Sequence, residues 1–412
     1  MKNTTFILFC ILVSFFAIAQ NANQFYRKAD TLYMAKDFKN AAIAYNAGIK
    51  LQGAAAGFSS YLLAASSWTL ASSPDSAFYL LDVVSTNEKL TQTDYKNIES
   101  AKDLATLHSD KRWKPLLATI QKLAEANTYP QEEFIYGRKD GMGLLMTHVK
   151  PKMKSNGKAI ISVQAGSWFS NFMMVERGIY YKRQYLDKGY NVFMVVLGSQ
   201  PRYAIPDQIE DLKRAVRYIR YNAKQLGIDP DRIGIEGGSA GGHLSLAIAT
   251  ADEKITANAS DPVDRVSSRV QAAAVLFPPT DFFNWGLPGV AMINAREQQA
   301  QARVYGAFDF RVWNNTTTTY DAVTDTSTRN KIGKEISPIY SVSPDDPPIF
   351  IIHGDGDMTV PLQQSQSFVA KLKEAGVTNN YIIKKGGRHN ADDMKPELNQ
   401  LVDWFDKYLK SK

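Results

Sequence analysis

Two different spacings of apolar residues divide the chain. Between residues 22 and 126, apolar and small side chains recur at helical spacings, as Tyr26, Ala29 and Tyr33 do. From residue 130 onward, short apolar runs alternate with amphipathic stretches, which is typical of strands that alternate with helices. The pattern therefore predicts an all-helical domain over residues 22–126 and an α/β domain over residues 130–412.

The pattern of the second part predicts a mostly parallel sheet that is covered by helices on both faces. Ala159–Val163 is a continuous apolar strand, and a long amphipathic helix begins at Pro206 and stops near Gly227. The predicted strands span residues 133–136, 144–149, 159–163, 191–197, 232–236, 270–277, 349–352 and 381–384. Helices are predicted over residues 206–226, 361–375 and 394–410.

Residues 283–335 interrupt the alternation of strands and helices. Their most polar stretch, residues 314–319, reads Asn-Asn-Thr-Thr-Thr-Thr and has no apolar face. An insertion between strands of the sheet lies over the strand ends. The segment is therefore either a lid over a site at those ends or a loose excursion on the surface.

The composition is that of a globular protein. Of the 412 residues, 44% are hydrophobic and 22% are charged, which argues against a disordered chain, a coiled coil or a multi-span membrane protein. The net charge of +7 is spread along the chain and forms no basic arm or tract. We therefore expect no nucleic-acid partner.

The first twenty residues have the layout of a secretory signal peptide. Lys2 is followed by an apolar stretch over residues 6–19 that ends in Ala17-Ile18-Ala19. Cleavage after residue 19 or 20 removes Cys10, the one cysteine, so the mature chain would have no disulfide and no thiolate metal site. Bulky residues before Cys10 argue against a lipoprotein. We expect residues 1–20 to be a signal peptide, the protein to be periplasmic or secreted, and no integral membrane segment to remain.

The helical part contains an internal repeat. Ala29 and Ala41 are 12 residues apart, as are Ala65 and Ala77, and the two pairs are offset by 36 residues. Two helices per unit with small residues at the helix contacts resemble tetratricopeptide repeats. This resemblance implies either a concave surface that binds a protein partner or a structural cap on the neighbouring domain, and both remain open.

The strongest chemical motif is Gly237-Gly238-Ser239-Ala240-Gly241. It lies between the predicted strand over residues 232–236 and a helix predicted over residues 243–250, which is the context of a nucleophile elbow. In such a turn the glycines on either side make room for a sharp bend, and the serine hydroxyl is exposed. The sequence therefore predicts Ser239 as a nucleophile.

A serine nucleophile needs a base, and the base needs an acid to orient it. His389 follows the last predicted strand, so it lies at the same edge of the sheet as Ser239. Asp357 and Asp355 both follow the strand 349–352, and we assign the acid to Asp357, which is deeper in its loop. The four other histidines are assigned structural positions: His108 in the helical part, His148 before the core sheet, His243 on the helix of Ser239, and His353 at a strand end.

An oxyanion hole requires two backbone N–H donors. The residue after the nucleophile, Ala240, is expected to supply one. The loop after Ala159–Val163 is expected to supply the other from Gly166 or Ser167. Trp168 in the same loop either lines the site and binds substrate or packs beneath the sheet edge.

From about residue 130 the chain resembles the α/β-hydrolase esterase and lipase group, which includes bacterial carbohydrate esterases such as feruloyl and acetylxylan esterases. The resemblance is carried by the sequences of residues 226–233, 237–243 and 347–361. It implies an α/β-hydrolase fold and a serine esterase that acts on carbohydrate esters without a metal or organic cofactor. Many relatives have His-Gly-Gly-Gly-Trp in the oxyanion loop, where residues 164–168 here read Gln-Ala-Gly-Ser-Trp.

Two other functions remain open at this point. Prolyl-oligopeptidase relatives share the fold, the order of the triad and a similar acid loop, although they commonly carry a β-propeller before the hydrolase domain. Alternatively, the helical repeats recruit a partner and the hydrolase domain is inactive or incidental.

Overall fold

The computed structural model describes residues 22–53, 56–253 and 255–410. The chain forms two compact units, the first ending at Thr128 and the second beginning at Tyr129. The predicted signal peptide over residues 1–20 lies outside the described residues. In the described part of the chain, no helix is long and apolar enough to cross a membrane.

The first unit is all-helical, as predicted. Small buried residues allow its helices to approach closely: Ala29, Ala41 and Ala77 are completely buried, and a Cβ on Gly48 would lie 2.5 Å from the ring of Tyr26. Its helices are α1 (residues 22–34), α2 (Phe38–Gln52), α3 (Phe58–Leu70), α4 (Pro74–Ser85), α5 (Gln92–Glu99) and α6 (Trp113–Ala126), with a 3₁₀ helix at Lys102–Ser109 between the last two. The assignment to tetratricopeptide repeats stays a prediction.

The second unit is built on an eight-stranded sheet of order β1-β2-β4-β3-β5-β6-β9-β10. The first two strands are antiparallel to their neighbours, and the other six are parallel to one another. The strands are β1 (Gln131–Lys139), β2 (Met142–Val149), β3 (Ala159–Val163), β4 (Asn191–Val195), β5 (Ile233–Gly238), β6 (Ala272–Leu276), β9 (Ile349–Gly354) and β10 (Asn379–Lys384). This is the predicted α/β-hydrolase sheet.

Helices cover both faces of this sheet. The α-helices of this unit are α7 (Met173–Gly178), α8 (Arg183–Leu186), α9 (Ile205–Tyr221), α10 (Ala223–Leu226), α11 (Ala240–Ala249), α12 (Arg296–Gln301), α13 (Thr326–Glu335), α14 (Gln363–Glu374) and α15 (Leu398–Tyr408). In β4, Phe193 and Val195 belong to the core under α9, whereas Val192 and Met194 belong to the core under α15. Burial on both faces explains why the central strands are continuous apolar runs.

The segment 283–335 is anchored in the core of the second unit, so it is not a loose excursion. Ile293 and Phe308 are buried in the core under α9. The buried guanidinium of Arg329 donates to the carbonyl oxygens of both residues, at 2.9 and 3.3 Å. The exposed part is a hairpin of β7 (Arg311–Asn314) and β8 (Thr319–Ala322), which the sequence pattern did not predict. The role of the segment as a lid stays a prediction.

His148 shows how the sheet buries a titratable group in its neutral form. Its Nε2 lies 2.9 Å from Asn191 Oδ1, and its ring stacks on Phe193. Within the described part of the chain, its Nδ1 has no hydrogen-bond partner. Burial lowers the pKa of His148 from 6.5 to about 4. A proton on Nδ1 would place an unpaired charge in the core.

We expect His148 to make the protein acid-sensitive. Because its pKa is lower in the folded state, the unfolded chain binds more protons than the folded chain between pH 6.5 and 4. The free energy of unfolding therefore falls as the pH is lowered through that range. At pH 4.5 this one group costs about 2 kcal/mol relative to pH 7. In urea denaturation at the two pH values, His148→Gln should lose about 2 kcal/mol less than the wild type. Equal losses in both proteins would contradict the assignment.

Candidate active site

The turn between β5 and α11 holds Ser239 in a strained backbone conformation, with φ 54° and ψ −124°. The turn is possible because Gly237 and Gly241, which have no Cβ, allow neighbouring backbone segments to come into contact. A Cβ on Gly237 would lie 2.5 Å from the backbone of Gly241, and a Cβ on Gly241 would lie 2.7 Å from the carbonyl oxygen of Val163. The N–H of Ser239 donates to Leu276 O at 2.9 Å, which fixes the turn to β6. This is the geometry expected of a nucleophile elbow.

The structure brings together the three residues predicted as a triad. His389 Nε2 lies 2.8 Å from Ser239 Oγ, and His389 Nδ1 lies 2.7 Å from Asp357 Oδ2. The three residues come from the loops that follow β5, β9 and β10, so they meet at the carboxyl edge of the parallel strands. The imidazole therefore bridges the hydroxyl and the carboxylate with both of its nitrogens.

The carboxylate of Asp357 is completely buried and is kept ionised by the donors around it. Burial raises its pKa, but hydrogen bonds from His353 and His389 and from the backbone N–H of Val360 outweigh burial, so the pKa lies well below its usual value. Its Oδ1 accepts the N–H groups of Thr359 and Val360 at 2.8 and 2.9 Å. Asp357 is therefore a fixed negative charge facing His389.

His353 lies near the end of β9, as predicted, and Asp355 directly follows that strand. His353 Nε2 lies 3.0 Å from Val360 O and 3.3 Å from Asp357 Oδ2, and its Nδ1 lies 2.7 Å from Ser365 Oγ. Asp355 is exposed, and its Oδ1 accepts the N–H of Gly386. His353 therefore fixes the acid loop to the start of α14, and Asp355 joins the acid loop to the loop of His389.

The loop after β3 contains a tight turn whose ends, Gly166 and Phe169, form a two-residue antiparallel bridge. The two central residues, Ser167 and Trp168, have φ values of 50° and 55°, which is the left-handed region. Positive φ at both central positions is the geometry of a type I′ turn, which usually contains Gly, Asn or Asp. Ala165 O accepts the N–H of Gly241 at 3.1 Å, so the loop is bonded directly to the elbow.

This turn decides between the two predicted donors of the loop. The N–H of Gly166 donates to Phe169 O at 3.0 Å, so Gly166 is not an available oxyanion donor, and that assignment is wrong. Within the described part of the chain, the N–H groups of Ser167 and Ala240 have no hydrogen-bond partner. These two N–H groups remain as the candidate oxyanion hole.

Trp168 does not line the site, so its assignment to substrate binding is corrected. Its side chain is only 4% exposed and packs edge-on against Phe282 and Phe308. Its indole N–H donates to Nδ1 of His243 at 3.1 Å. The residue packs beneath the turn, which was the other alternative that the sequence left open.

A cavity of about 180 Å³ lies beside the elbow. Gly238 and Phe277 line it, and the ring of Phe277 also lies 4.4 Å from the ring of His389. The lining includes the ion pair of the partly buried Lys182 and the buried Glu236, whose charged atoms are 2.6 Å apart. The triad and the cavity thus share the wall formed by Phe277.

Among the described residues, no group of His, Cys, Asp and Glu is placed to hold a metal ion.

Residues 146–372, more than half of the chain, match the BD-FAE family. The chain belongs to the BD-FAE family. The matched range includes Ser239 and Asp357, whereas His389 lies beyond it. The family and the sheet topology together place the second unit in the α/β-hydrolase esterase group.

Similar proteins carry esterase names. Esterase LipQ of Mycobacterium tuberculosis is 28% identical over 262 residues, which are 63% of this chain and 56% of LipQ. The probable carboxylic ester hydrolase LipM of the same organism is 34% identical over 176 residues, 42% of this chain and 35% of LipM. The chain thus spans about half or less of the length of these relatives.

Among solved structures, a truncated form of a carbohydrate esterase from gut microbiota matches with a TM-score of 0.54 and 26% identity. The match covers 69% of this chain and 98% of that one. The matched part of this chain therefore corresponds to nearly the whole of that truncated esterase.

The strain at Ser239 predicts a difference between two variants that both lack its hydroxyl. Ser239→Ala keeps a Cβ at positive φ, whereas Ser239→Gly removes it and relieves about 1–3 kcal/mol of strain. The greater freedom of glycine in the unfolded chain offsets about 0.4–1 kcal/mol of this gain. Calorimetric melting should therefore show the glycine variant to be more stable by about 1 kcal/mol. Equal stability would mean that the strain at Ser239 only balances the cost of about 0.4–1 kcal/mol in the unfolded chain, and a less stable glycine variant would contradict strain at this position.

Proposed function

We propose that the protein is a serine hydrolase that cleaves carboxylic esters through a Ser239–His389–Asp357 triad. One observation carries the proposal: the imidazole of His389 contacts Ser239 Oγ at 2.8 Å and Asp357 Oδ2 at 2.7 Å with opposite nitrogens. Membership of the BD-FAE family and relatives named esterases support the same reaction.

The ionised state of Asp357 determines the direction of proton transfer. A carboxylate only accepts hydrogen bonds, so His389 carries its hydrogen on Nδ1 and presents the lone pair of Nε2 to the hydroxyl of Ser239. As Oγ attacks the ester carbonyl carbon, its proton moves to Nε2. The imidazolium that forms is stabilised by the negative charge of Asp357.

The tetrahedral intermediate then places a negative charge on the former carbonyl oxygen. The free N–H groups of Ala240 and Ser167 are the proposed donors to that oxygen. Nε2 of His389 gives its proton to the leaving alcohol oxygen as the carbon–oxygen bond breaks, and an acyl-enzyme remains. Water that loses its proton to the same nitrogen hydrolyses the acyl-enzyme and restores Ser239.

We propose carbohydrate esters, such as acetyl or feruloyl esters of polysaccharide fragments, as the substrate class. The support is the structural likeness to the carbohydrate esterase from gut microbiota. The cavity beside the elbow has mostly apolar walls and one ion pair, and it shares Phe277 with the triad. The leader sequence supports export to the periplasm or secretion, which would bring the protein to such esters.

The proposal is tested by labelling the mature protein with a fluorophosphonate probe, with Ser239→Ala as the control. We expect the wild type to be labelled and to hydrolyse p-nitrophenyl acetate, and the variant to do neither, because the activated hydroxyl is gone. A panel of acetylated xylan, methyl ferulate and aminoacyl-p-nitroanilides then separates the substrate classes. A folded wild type without labelling would refute the proposal, and hydrolysis of the anilides but not the esters would favour the peptidase.

Asp357→Asn should lower kcat for p-nitrophenyl acetate by about 10³- to 10⁴-fold. The backbone N–H groups of Thr359 and Val360 would bind the amide oxygen, which leaves the amide N–H to face Nδ1 of His389. His389 would then carry its hydrogen on Nε2 and could not accept the proton of Ser239. Asp355→Asn is the matched control in the same loop and should stay within about twofold of the wild type. A similar loss in both variants would contradict the assignment of the acid.

A further inference from the structure

The turn that carries the free N–H of Ser167 needs outside support. Both of its central residues, Ser167 and Trp168, have positive φ although neither is glycine. Such a conformation persists only where the surrounding structure fixes it. The contacts that fix this turn therefore also fix the position of the Ser167 N–H relative to the rest of the site.

Two glutamine side chains bind the carbonyl oxygens of the turn. Gln200 Nε2 donates to Ser167 O at 2.7 Å, and the buried Gln208 Nε2 donates to Trp168 O at 2.8 Å. Gln208 lies on α9 and Gln200 in the segment before it, so these bonds tie the backbone of the turn to that part of the unit. They do not connect the turn to the helix that carries Ala240.

The bond between Ala165 O and the N–H of Gly241 ties the start of the loop to that helix, and the side chain of Trp168 adds a second connection from the turn itself. Its indole N–H donates to Nδ1 of His243, and the two rings lie edge to face with centroids 5.6 Å apart. His243 lies on α11, one helical turn after Ser239, and the N–H of His243 donates to Ser239 O. The hydrogen bond therefore joins the turn of Ser167 to the helix of Ala240.

His243 is held in one orientation and one tautomer. Its side chain is completely buried, and its Nε2 lies 2.7 Å from the carbonyl oxygen of Ile336. An indole can only donate and a carbonyl can only accept, so Nδ1 carries the lone pair and Nε2 carries the hydrogen. Burial lowers the pKa of His243 to about 4, which keeps the ring neutral near neutral pH.

We propose that His243 is a positioning residue for the oxyanion hole, acting through Trp168 to fix the spacing between the N–H groups of Ser167 and Ala240. Because an oxyanion donor works over a narrow range of distance, a small shift of the turn weakens the hole without removing either donor. The inference rests on the proposed ester hydrolysis. Trp168 and His243 thus help to stabilise the transition state, although neither of them touches the substrate.

Three single substitutions separate this role from simple packing. Trp168→Phe removes the indole N–H and keeps an aromatic ring. His243→Gln places an amide N–H near the Nε2 position and loses the acceptor for Trp168, whereas His243→Asn places an amide oxygen near the Nδ1 position and keeps that acceptor. The asparagine variant is therefore the matched control for the glutamine variant.

We expect Trp168→Phe and His243→Gln to lower kcat for p-nitrophenyl acetate by about 10- to 100-fold, with KM within about twofold. The affinity for a trifluoromethyl ketone, whose adduct places an oxyanion in the hole, should fall in parallel with kcat/KM. His243→Asn should recover most of the loss. The double variant Trp168→Phe/His243→Gln should be no slower than the slower single variant, because both changes break the same bond.

Several outcomes would overturn the inference while the wild type stays labelled and active. These are a wild-type kcat in Trp168→Phe, losses that multiply in the double variant, or an unchanged inhibitor affinity. If His243→Gln does not fold, Trp168→Phe compared with His243→Asn decides by the same criteria. An unlabelled and inactive wild type would instead refute the ester hydrolysis itself, so the two failures are distinguishable.

Discussion

The contact of three backbone segments at the elbow is the constraint on which the site depends. Gly237 lies against Gly241, and Gly241 lies against Val163 at the end of β3, in both cases too closely for a Cβ. This packing forces the sharp turn that exposes Ser239. It also brings the start of α11 next to the loop after β3, where Ala165 accepts the N–H of Gly241. The nucleophile and the candidate oxyanion donors are therefore positioned by the same contact.

The strain that this arrangement creates is confined to a few residues and held by rigid neighbours. Ser239 and the turn residues Ser167 and Trp168 all have positive φ, and Phe277, which contacts the ring of His389, has it as well. Each of these residues is bonded to a buried strand or to a buried side chain. Ser239 and Phe277, for example, donate their N–H groups to Leu276 and Ile352 in β6 and β9. These four unfavourable backbone conformations thus lie at the site and are held by the structure around it.

Much of this organisation could be predicted from the sequence because it depends on local patterns. Buried strands are continuous apolar runs, and the order of the parallel strands brings the loops of Ser239, Asp357 and His389 to one edge. Asp357 could be preferred to Asp355 because it is deeper in its loop, and the structure brings Asp357 to His389. The hairpin of β7 and β8 was missed because its strands are four residues each and exposed on both faces, so neither has an apolar face to reveal it.

Two predictions for the oxyanion loop, Gly166 as a donor and Trp168 as a substrate-binding residue, fail for a different reason. Whether Gly166 or Ser167 offers a free N–H depends on which residues close the turn, and the pairing of Gly166 with Phe169 is decided by three-dimensional packing. The burial of Trp168 likewise depends on partners far along the chain, such as Phe282 and Phe308 in or beside the segment 283–335. The sequence pattern indicates only a lid or an excursion for that segment and does not predict its contribution to the core.

The buried titratable groups of the second unit follow one electrostatic rule. His148 and His243 are neutral because burial penalises their charged forms, and each makes hydrogen bonds suited to a neutral ring. Asp357 is equally inaccessible to solvent yet remains ionised, because backbone and imidazole donors replace the water it has lost. The difference lies in the partners and not in the depth of burial: N–H groups donate to the carboxylate and stabilise its charge, whereas each imidazole has an acceptor at Nε2 but none at Nδ1 for a second proton. A fixed negative charge is thus maintained beside His389, the one place in the candidate triad where a developing positive charge has to be balanced.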